Sequence, residues 1–432
     1  MSDTINVGLL GHGVVGGGVA RTLRDKAETI ARRVGRRVAL RGVLVSRPER
    51  HQEASSWLQI TANPADVLDD PDVDIVVEMM GGEQPAHEYI LRAIANGKHV
   101  VTANKEVMAK HGPAIVAAAA AKGLDVAYEA SVGGGIPVIG PFKLDLLAND
   151  ISRVSAIING TTNYIITRMS TAGLDFATAL KEAQDAGYAE ADPRNDVEGI
   201  DASYKLAILS TLAFHARVHP DQVYHEGITG LQPSDFRYAH ELGYAIRLLA
   251  IAKLADGGLE ARVHPTLVPA GSMLASVDDV YNAVQVEGDL VGRILFYGRG
   301  AGAGPTASAV VADVIDLAQR LVGGAIRPTV ATYDESIAVR PMSEAYSRYY
   351  IRLVAADRPG VIARIAGIFG ERKISLTSVI QKEDVHAGNG DRHAEIVFMT
   401  HLGHEAAMQQ ALEEIRQLDV VDQVGSVIRV ED

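Results

Sequence analysis

Residues 187–205 read GYAEADPRNDVEGIDASYK, which sets five carboxylates (Glu190, Asp192, Asp196, Glu198 and Asp201) ahead of a single lysine, Lys205. Pro193 cannot continue a helix, so the first half of this stretch is expected to be a loop whose side chains are free to converge. Asp201 and Lys205 are four apart at the start of an apolar helical pattern (Tyr204, Leu206, Ala207, Leu209), which puts them on one helix face. Acids beside a lysine suit a small substrate that carries an ammonium group and a hydroxyl that must lose a proton. A solvated acidic loop capping a helix would use the same residue types, so on this stretch alone both readings stand.

A second chemistry-bearing stretch lies near the N-terminus. A short apolar strand, residues 5–10, feeds into Gly11-His12-Gly13-Val14-Val15-Gly16, and helical periodicity follows over 19–30. In that context GxGxxG predicts a dinucleotide site: the first glycine turns the chain, the second admits a pyrophosphate, and the third lets helix pack on strand. The helix N-terminus adds free N–H groups and a favourable dipole. Strand two, residues 38–45, is followed by Arg47 and Arg50 where an NAD-preferring fold would place an acid, which favours a 2′-phosphate and hence NADP; if both arginines are merely solvated, NAD stays open. A strand over 99–102 ends at Thr102, which joins the cofactor-binding set. Ala103, Asn104 and Lys105 follow, and ligands of such sheets bind beyond strand ends, so Lys105 is a second site lysine.

The elements that must position these groups fall into three parts. Residues 1–135, with a return helix at about 305–322, read as a Rossmann-type α/β domain. Buried strands are expected at 74–78 and 125–128, with a helix at about 85–96. Residues 136–340 read as an α+β substrate and dimerisation domain. It opens on a strand at 151–158 and a polar turn at 159–164. A long helical region is expected through about 255, with a break near Pro220, then strands at 262–268, 282–288 and 290–297. Two glycine runs punctuate the chain. Glu129 and the GGG of 133–135 could hold a hard cation through oxygen or could form a domain hinge. The run from Gly298 to Gly304, including Gly302, either borders the nicotinamide or merely connects. Residues 348–432 spell βαββαβ, a small module that commonly binds or pairs, with a glycine-rich loop at 384–391.

Composition narrows the function classes. The 432 residues carry no cysteine, which excludes disulfides and thiolate chemistry and fits a cytoplasmic location. A net charge of -13 with no basic stripe argues against nucleic acid as a partner, and no apolar run has membrane length. No export signal is visible at the N-terminus.

The ordered segments GLLGHGVVGGGV, VVEMMGG, TANKEVMA, YEASVGGGIPVI, INGTTNYI, GYAEADPRNDVEGIDASYK and GAGAGPTASAV together resemble homoserine dehydrogenase, and DRPGVIARIAGIF resembles the first loop and helix of an ACT domain. The resemblance implies reversible NAD(P)H-dependent reduction of L-aspartate 4-semialdehyde to L-homoserine. It implies Lys205 as general acid/base and Lys105 as the second lysine; two such amines in one cleft ease each other's proton release. It also implies Glu190, Asp201 and Asp196 as substrate carboxylates, Gly187 and Gly302 as backbone at substrate and cofactor, and a sodium site at Glu129, Val132, Gly134 and Ile136. For the tail it implies feedback by threonine, with Asp357, Gly360, Val361 and Ile374 as candidate contacts, and a homodimer or homotetramer. Cutting the chain after about 345 is expected to remove the threonine response and leave catalysis. Fusion to an aspartate kinase is not expected, since the cofactor strand begins at residue 5. Two other readings compete: a dehydrogenase of another small amino or hydroxy acid, and an inactive amino-acid sensor on a dehydrogenase scaffold.

Overall fold

The computed structural model describes residues 3–51, 54–255, 257–324, 332–386 and 392–431. The chain divides into two compact units, each drawn from three segments: Met1–Val154, Tyr204–Pro220 and Asn282–Ser336 in the first, Ser155–Ser203, Asp221–Tyr281 and Ile337–Asp432 in the second.

The first unit is built on six parallel strands: β1 (Thr4–Leu10), β2 (Arg37–Leu44), β3 (Ile60–Thr61), β4 (Ile75–Glu78), β5 (His99–Thr102) and β6 (Val126–Ala127), in the order β3-β2-β1-β4-β5-β6. β4 and β5 are buried at every position, so neither alternates apolar with exposed polar side chains. The order reverses between β1 and β4, and the crevice beyond those strand ends is where a dinucleotide fold places its ligand. The helical pattern expected over 19–30 is two helices, α1 (Val14–Asp25) and α2 (Ala27–Val34), with Lys26 between them. The helix Ala303–Gly323 returns to pack on α1. A Cβ on Gly18 would lie only 3.2 Å from the Ala303 carbonyl oxygen and 3.3 Å from the Ala307 Cβ, so the extra glycine there permits close helix packing. Val7, Leu9, Val19, Val77, Val310 and Val314 form the centre of this core. The strands Tyr281–Gly288 and Gly292–Arg299 match two of those expected in the middle of the chain.

In the second unit six strands are neighbours in the order Tyr244–Ala255, Gly258–Pro269, Val421–Val430, Tyr346–Ala356, Arg392–Thr400, Leu376–His386. Only the pairing of Thr266 with Arg429 and Leu267 with Val430 is parallel; the other pairs in this run are antiparallel. Residues 244–255 correct the sequence expectation of a helix. The helices of that region are Ile200–Ala213 and Pro233–Glu241, and YAIRLLAIAKLA is a strand. It is buried on both faces from Ile246 to Ala252, so no two-residue alternation marks it. Its Leu and Ala content mimics a helix, and twelve residues of pairing with Gly258–Pro269 decide the matter.

The tail has the expected order: Tyr346–Ala356, helix Val361–Glu371, Leu376–His386, Arg392–Thr400, helix Glu405–Arg416 and Val421–Val430. Residues 384–386 of the expected loop close a strand, and 387–391 lie outside the described residues. Tyr349, Ile351, Ile365, Phe369, Phe398 and Leu412 fill its core. Buried ion pairs fasten it to the rest of the unit. Asp235, part of the capping box on Pro233–Glu241, accepts Arg352 Nε at 2.6 Å, the Tyr350 hydroxyl at 3.1 Å and Ser426 Oγ at 2.6 Å. Arg429 donates to Glu405 at 2.7 Å and Glu226 at 2.9 Å, and Arg262 to Glu260 and Glu431.

Candidate active site

Lys105 and Lys205 line one cleft of about 300 Å³ in the first unit, together with Gly81, Gly82, Asn104, Gly134, Gly300 and Thr306 among others. These are the two lysines that the resemblance implies for one site, and both border the same opening.

Lys105 is placed by a chain of hydrogen bonds that starts in the core. Glu78, fully buried at the end of β4, accepts Thr102 Oγ1 at 2.6 Å on one oxygen and the Met80 N–H at 2.6 Å on the other. Burial pushes its carboxyl pKa up, against the pull of these donors. Thr102 Oγ1 in turn accepts the Asn104 N–H at 2.9 Å. Asn104 donates to the Gly82 carbonyl at 2.8 Å and accepts the Val107 N–H at 3.1 Å, capping the helix Lys105–Ala120 on which Lys105 comes first. Thr102 therefore acts through its hydroxyl as a strut at the cleft. Sequence reasoning missed Glu78 and Asn104; an acid closing a buried strand and an Asn before a helical run were the available signals.

The glycines of the fingerprint have distinct reasons. Gly11 adopts φ +93°, and a Cβ there would sit 2.7 Å from the Met79 carbonyl oxygen. A Cβ on Gly16 would be 2.1 Å from the Gly11 oxygen, whereas nothing lies within 4 Å of one on Gly13, the N-cap of α1. Gly13 thus leaves the open approach that a pyrophosphate needs. Val14 is 75% exposed beside it, Val15 half-buried. His12 Nδ1 faces His51 Nδ1 at 3.4 Å, a partner the sequence did not suggest. Arg47 and Arg50 are exposed after β2. The glycine run near 300 is a close contact: a Cβ on Gly134 would lie 2.2 Å from the Gly300 carbonyl oxygen, and one on Gly300 would overlap Asn282. Gly302, φ +118°, opens the helix Ala303–Gly323.

Glu129 carries three hydrogen bonds on its carboxylate. Oε1 accepts the N–H groups of Val138 at 2.5 Å and Ile139 at 2.8 Å, and Oε2 that of Gly140 at 2.6 Å. Val132 and Ile136 are buried and Gly134 lines the cleft. Among the described residues no group of three or more His, Asp or Glu could hold a metal, so a cation would depend on backbone carbonyls as well.

In the second unit the acidic stretch is organised by an amide. Asn159 Nδ2 donates to Asp196 at 2.7 Å and to Asp201 at 2.9 Å, while its Oδ1 accepts the Thr162 N–H at 2.9 Å and caps the helix Gly160–Ala172. Asp201 is buried and stands in the first turn of Ile200–Ala213, the helix that also bears Lys205. Glu190 is exposed, and Gly187 adopts φ +76° with its N–H on the Gln184 carbonyl at 3.0 Å. Asp192 is engaged by Arg194 at 2.6 Å, which pulls its pKa down to about 2. Of the five acids, two meet at Asn159 and one is held by arginine.

In the tail, Asp357 accepts Gln381 Nε2 at 2.8 Å and Gly360 (φ +91°) starts the helix Val361–Glu371. Val361 and Ile374 are each 3% exposed and belong to the tail's core, so they offer a ligand backbone rather than side chain.

Family models match over most of the length: "Homoserine dehydrogenase, NAD binding domain" at residues 11–129, "Homoserine dehydrogenase" at 137–315 and "ACT domain" at 349–420. The chain is 43% identical to a homoserine dehydrogenase of Neisseria gonorrhoeae, over 99% of this chain and 98% of that one. It is 44% identical to one from Synechocystis, over 99% of both. Among solved structures, a homoserine dehydrogenase from Thiobacillus denitrificans is 46% identical with a TM-score of 0.92, covering 99% and 98% of the two chains. That of S. aureus is 30% identical with a TM-score of 0.78, over 99% of both. Among the described residues no helix is long and apolar enough to cross a membrane.

Proposed function

Since the chain belongs to the homoserine dehydrogenase family, an NAD(P)-dependent oxidoreductase with a C-terminal ACT domain, we propose that it interconverts L-aspartate 4-semialdehyde and L-homoserine. The observation that carries this reading is the cleft shared by Lys105 and Lys205. A bound nicotinamide supplies hydride chemistry at the substrate carbon. Lys205 gives a proton to the substrate oxygen on reduction and takes it back on oxidation. Lys105, fixed at its helix start through Asn104, Thr102 and Glu78, holds a positive charge in the cleft where negative charge develops on that oxygen. Asp201 and Asp196, pre-set by Asn159, and Glu190 are assigned to the ammonium and hydroxyl of the substrate. Gly11, Gly13 and Gly16 carry the pyrophosphate, with Gly187 and Gly302 as further backbone.

Arg47 and Arg50 favour NADPH over NADH. An oxygen-only set of Glu129 and the carbonyls of Val132, Gly134 and Ile136 suits a hard monovalent cation such as sodium; Glu129 Oε2 takes one N–H and retains a lone pair for it. Threonine is the proposed effector at the ACT domain, and a homodimer or homotetramer the proposed assembly. Initial rates with NADPH and NADH, with and without threonine, test these assignments together. Homoserine should be oxidised while malate, lactate and glutamate are refused; comparable turnover of malate overturns the substrate assignment. Asp357→Ala should blunt threonine inhibition at unchanged kcat, and undiminished inhibition would place the effector elsewhere.

A further inference from the structure

We propose that His51, held in place by His12, donates to the 2′-phosphate of NADP(H) and so helps to set the choice between the two nicotinamide coenzymes. The proposal rests on the coenzyme assignment made above and adds a residue pair to it. His12 is the second residue of the glycine fingerprint, next to Gly13, where nothing lies within 4 Å of a built Cβ and the approach is open. His51 closes the short helical turn Pro48–His51 that follows β2, where a dinucleotide fold contacts the adenosine ribose. The two rings meet edge to face, with centroids 5.2 Å apart and Nδ1 facing Nδ1 at 3.4 Å. The pair thus ties the phosphate loop to the ribose loop. Arg21 folds back along α1 beside it: a Cβ on Gly17 would lie 3.6 Å from both Arg21 Nη1 and His12 Cε1. Arg50 and Glu49 are exposed in the turn, and Arg47 just before it.

The hydrogen between the two Nδ1 atoms belongs to one ring only. His12 Nε2 is buried and has no partner among the described residues. Orphaned buried N–H groups are rarer than orphaned acceptors, so His12 keeps its hydrogen on Nδ1 and donates it to His51. That fixes His51 in the tautomer with its N–H at Nε2, on the side away from His12. Among the described residues no acceptor takes this N–H. The ring is half-buried, so the donor is both oriented and reachable. Burial, then His51, then Arg21 lower the His12 pKa, and only a backbone hydrogen bond works the other way; no carboxylate among the described residues does. A further proton on the pair would either set two Nδ1–H groups against each other or force an unpaired N–H onto the buried Nε2. A 2′-phosphate, close to a dianion near neutrality, offsets that cost and draws the proton in. NAD(H) presents a hydroxyl there and offers no such compensation.

Isothermal titration of the full chain with NADP+ and with NAD+ tests this without turnover, at about pH 6.5, the ordinary imidazole value, and at about pH 8.5. NADP+ should bind roughly tenfold or more tightly at the lower pH, the usual worth of a charge-assisted hydrogen bond, while NAD+ binding barely changes. In buffers of different ionisation enthalpy, NADP+ should take up part of a proton on binding and NAD+ none. His51→Gln keeps a donor at the Nε2 position but cannot take up a proton, so the pH dependence should vanish. His51→Ala should lose roughly tenfold for NADP+ at the lower pH and nothing for NAD+. His12→Asn keeps a donor in place of Nδ1 and should bind as the wild type does; a loss as large as that of His12→Ala would remove the positioning role. A folded His51→Ala protein with wild-type NADP+ affinity overturns the proposal, as does an equal loss for both coenzymes, which marks a structural role. Should His12→Ala fail to fold, His51→Ala decides. A wild type that prefers NADP+ at neither pH refutes the NADP(H) assignment itself. A preference that survives in His51→Ala leaves that assignment to the arginines and removes only the histidines.

Discussion

Cutting the chain after about residue 345 is a perturbation whose cost follows from the second unit. The cut removes Tyr346–Ala356 and Val421–Val430, and with them Arg352, Tyr350 and Ser426, the three side chains that satisfy Asp235. Arg262 loses Glu431, and Glu226 loses Arg429. Asp235 is 0% and Arg262 1% exposed in the whole chain. Removing the partner of a buried charge costs about 3–5 kcal/mol at Asp235, and Arg262, which keeps Glu260, adds a smaller cost. Water reaching the newly opened face favours the lower end, but the strand Gly258–Pro269 also loses one of its neighbours and bares an apolar surface. Total stabilities of about 5–15 kcal/mol leave little margin. The truncated chain is expected to be insoluble or to lose its cooperative melt, and homoserine oxidation with it. This reverses the sequence expectation that such a cut spares catalysis. Soluble yield, a far-UV circular-dichroism melt and kcat provide the readout. A truncated protein melting within a few degrees of the full chain, with full kcat, refutes the reasoning.

Three further outcomes are expected. Lys205→Ala should lower kcat by about 10²–10⁴-fold, the usual worth of a positioned acid/base, with NADPH affinity by fluorescence titration unchanged; near-normal turnover would strip the lysine of its role. Asn159→Ala removes both the donor shared by Asp196 and Asp201 and a helix cap worth about 1 kcal/mol, so homoserine KM should rise roughly tenfold with a lower melting temperature. An unchanged KM would show that the clamp has no part in substrate binding. Asp313 titrates at about 7 when folded against an ordinary 3.8, so between these values the folded chain binds the extra proton and stability falls as pH rises. Asp313→Asn abolishes that titration: its gain over wild type in urea melts should be largest above neutrality and smallest in acid, and the opposite ordering would refute the assignment.

The features most legible in the sequence were those whose spacing is itself the signal. GxGxxG between strand and helix located β1 and α1, and the tail's patterns located its six longer elements in order, missing only the short strand Gly403–His404 among the described residues. Lys105 and Lys205 were legible because each ends a recognisable pattern, a buried strand or an acidic loop. Residues 244–255 were illegible for the opposite reason: burial on both faces erases periodicity, and the pairing that makes them a strand is tertiary. The parts that Asn159 and Glu78 play were not legible because a buried polar residue declares itself only through its partners, here 37 and 24 positions away. The same holds for Asp235, whose arginine is 117 residues distant.

The meeting of Gly134 with Gly300 limits how this enzyme could be redesigned. A methyl group at either position would strike backbone or the buried Asn282, and since Asn282 stands directly behind Gly300, that loop has no room to retreat. Libraries that randomise the two positions, singly or as a pair, should therefore return only glycine among active clones. Altered preference for substrate or coenzyme would have to come from bordering side chains such as Glu106 and Thr306.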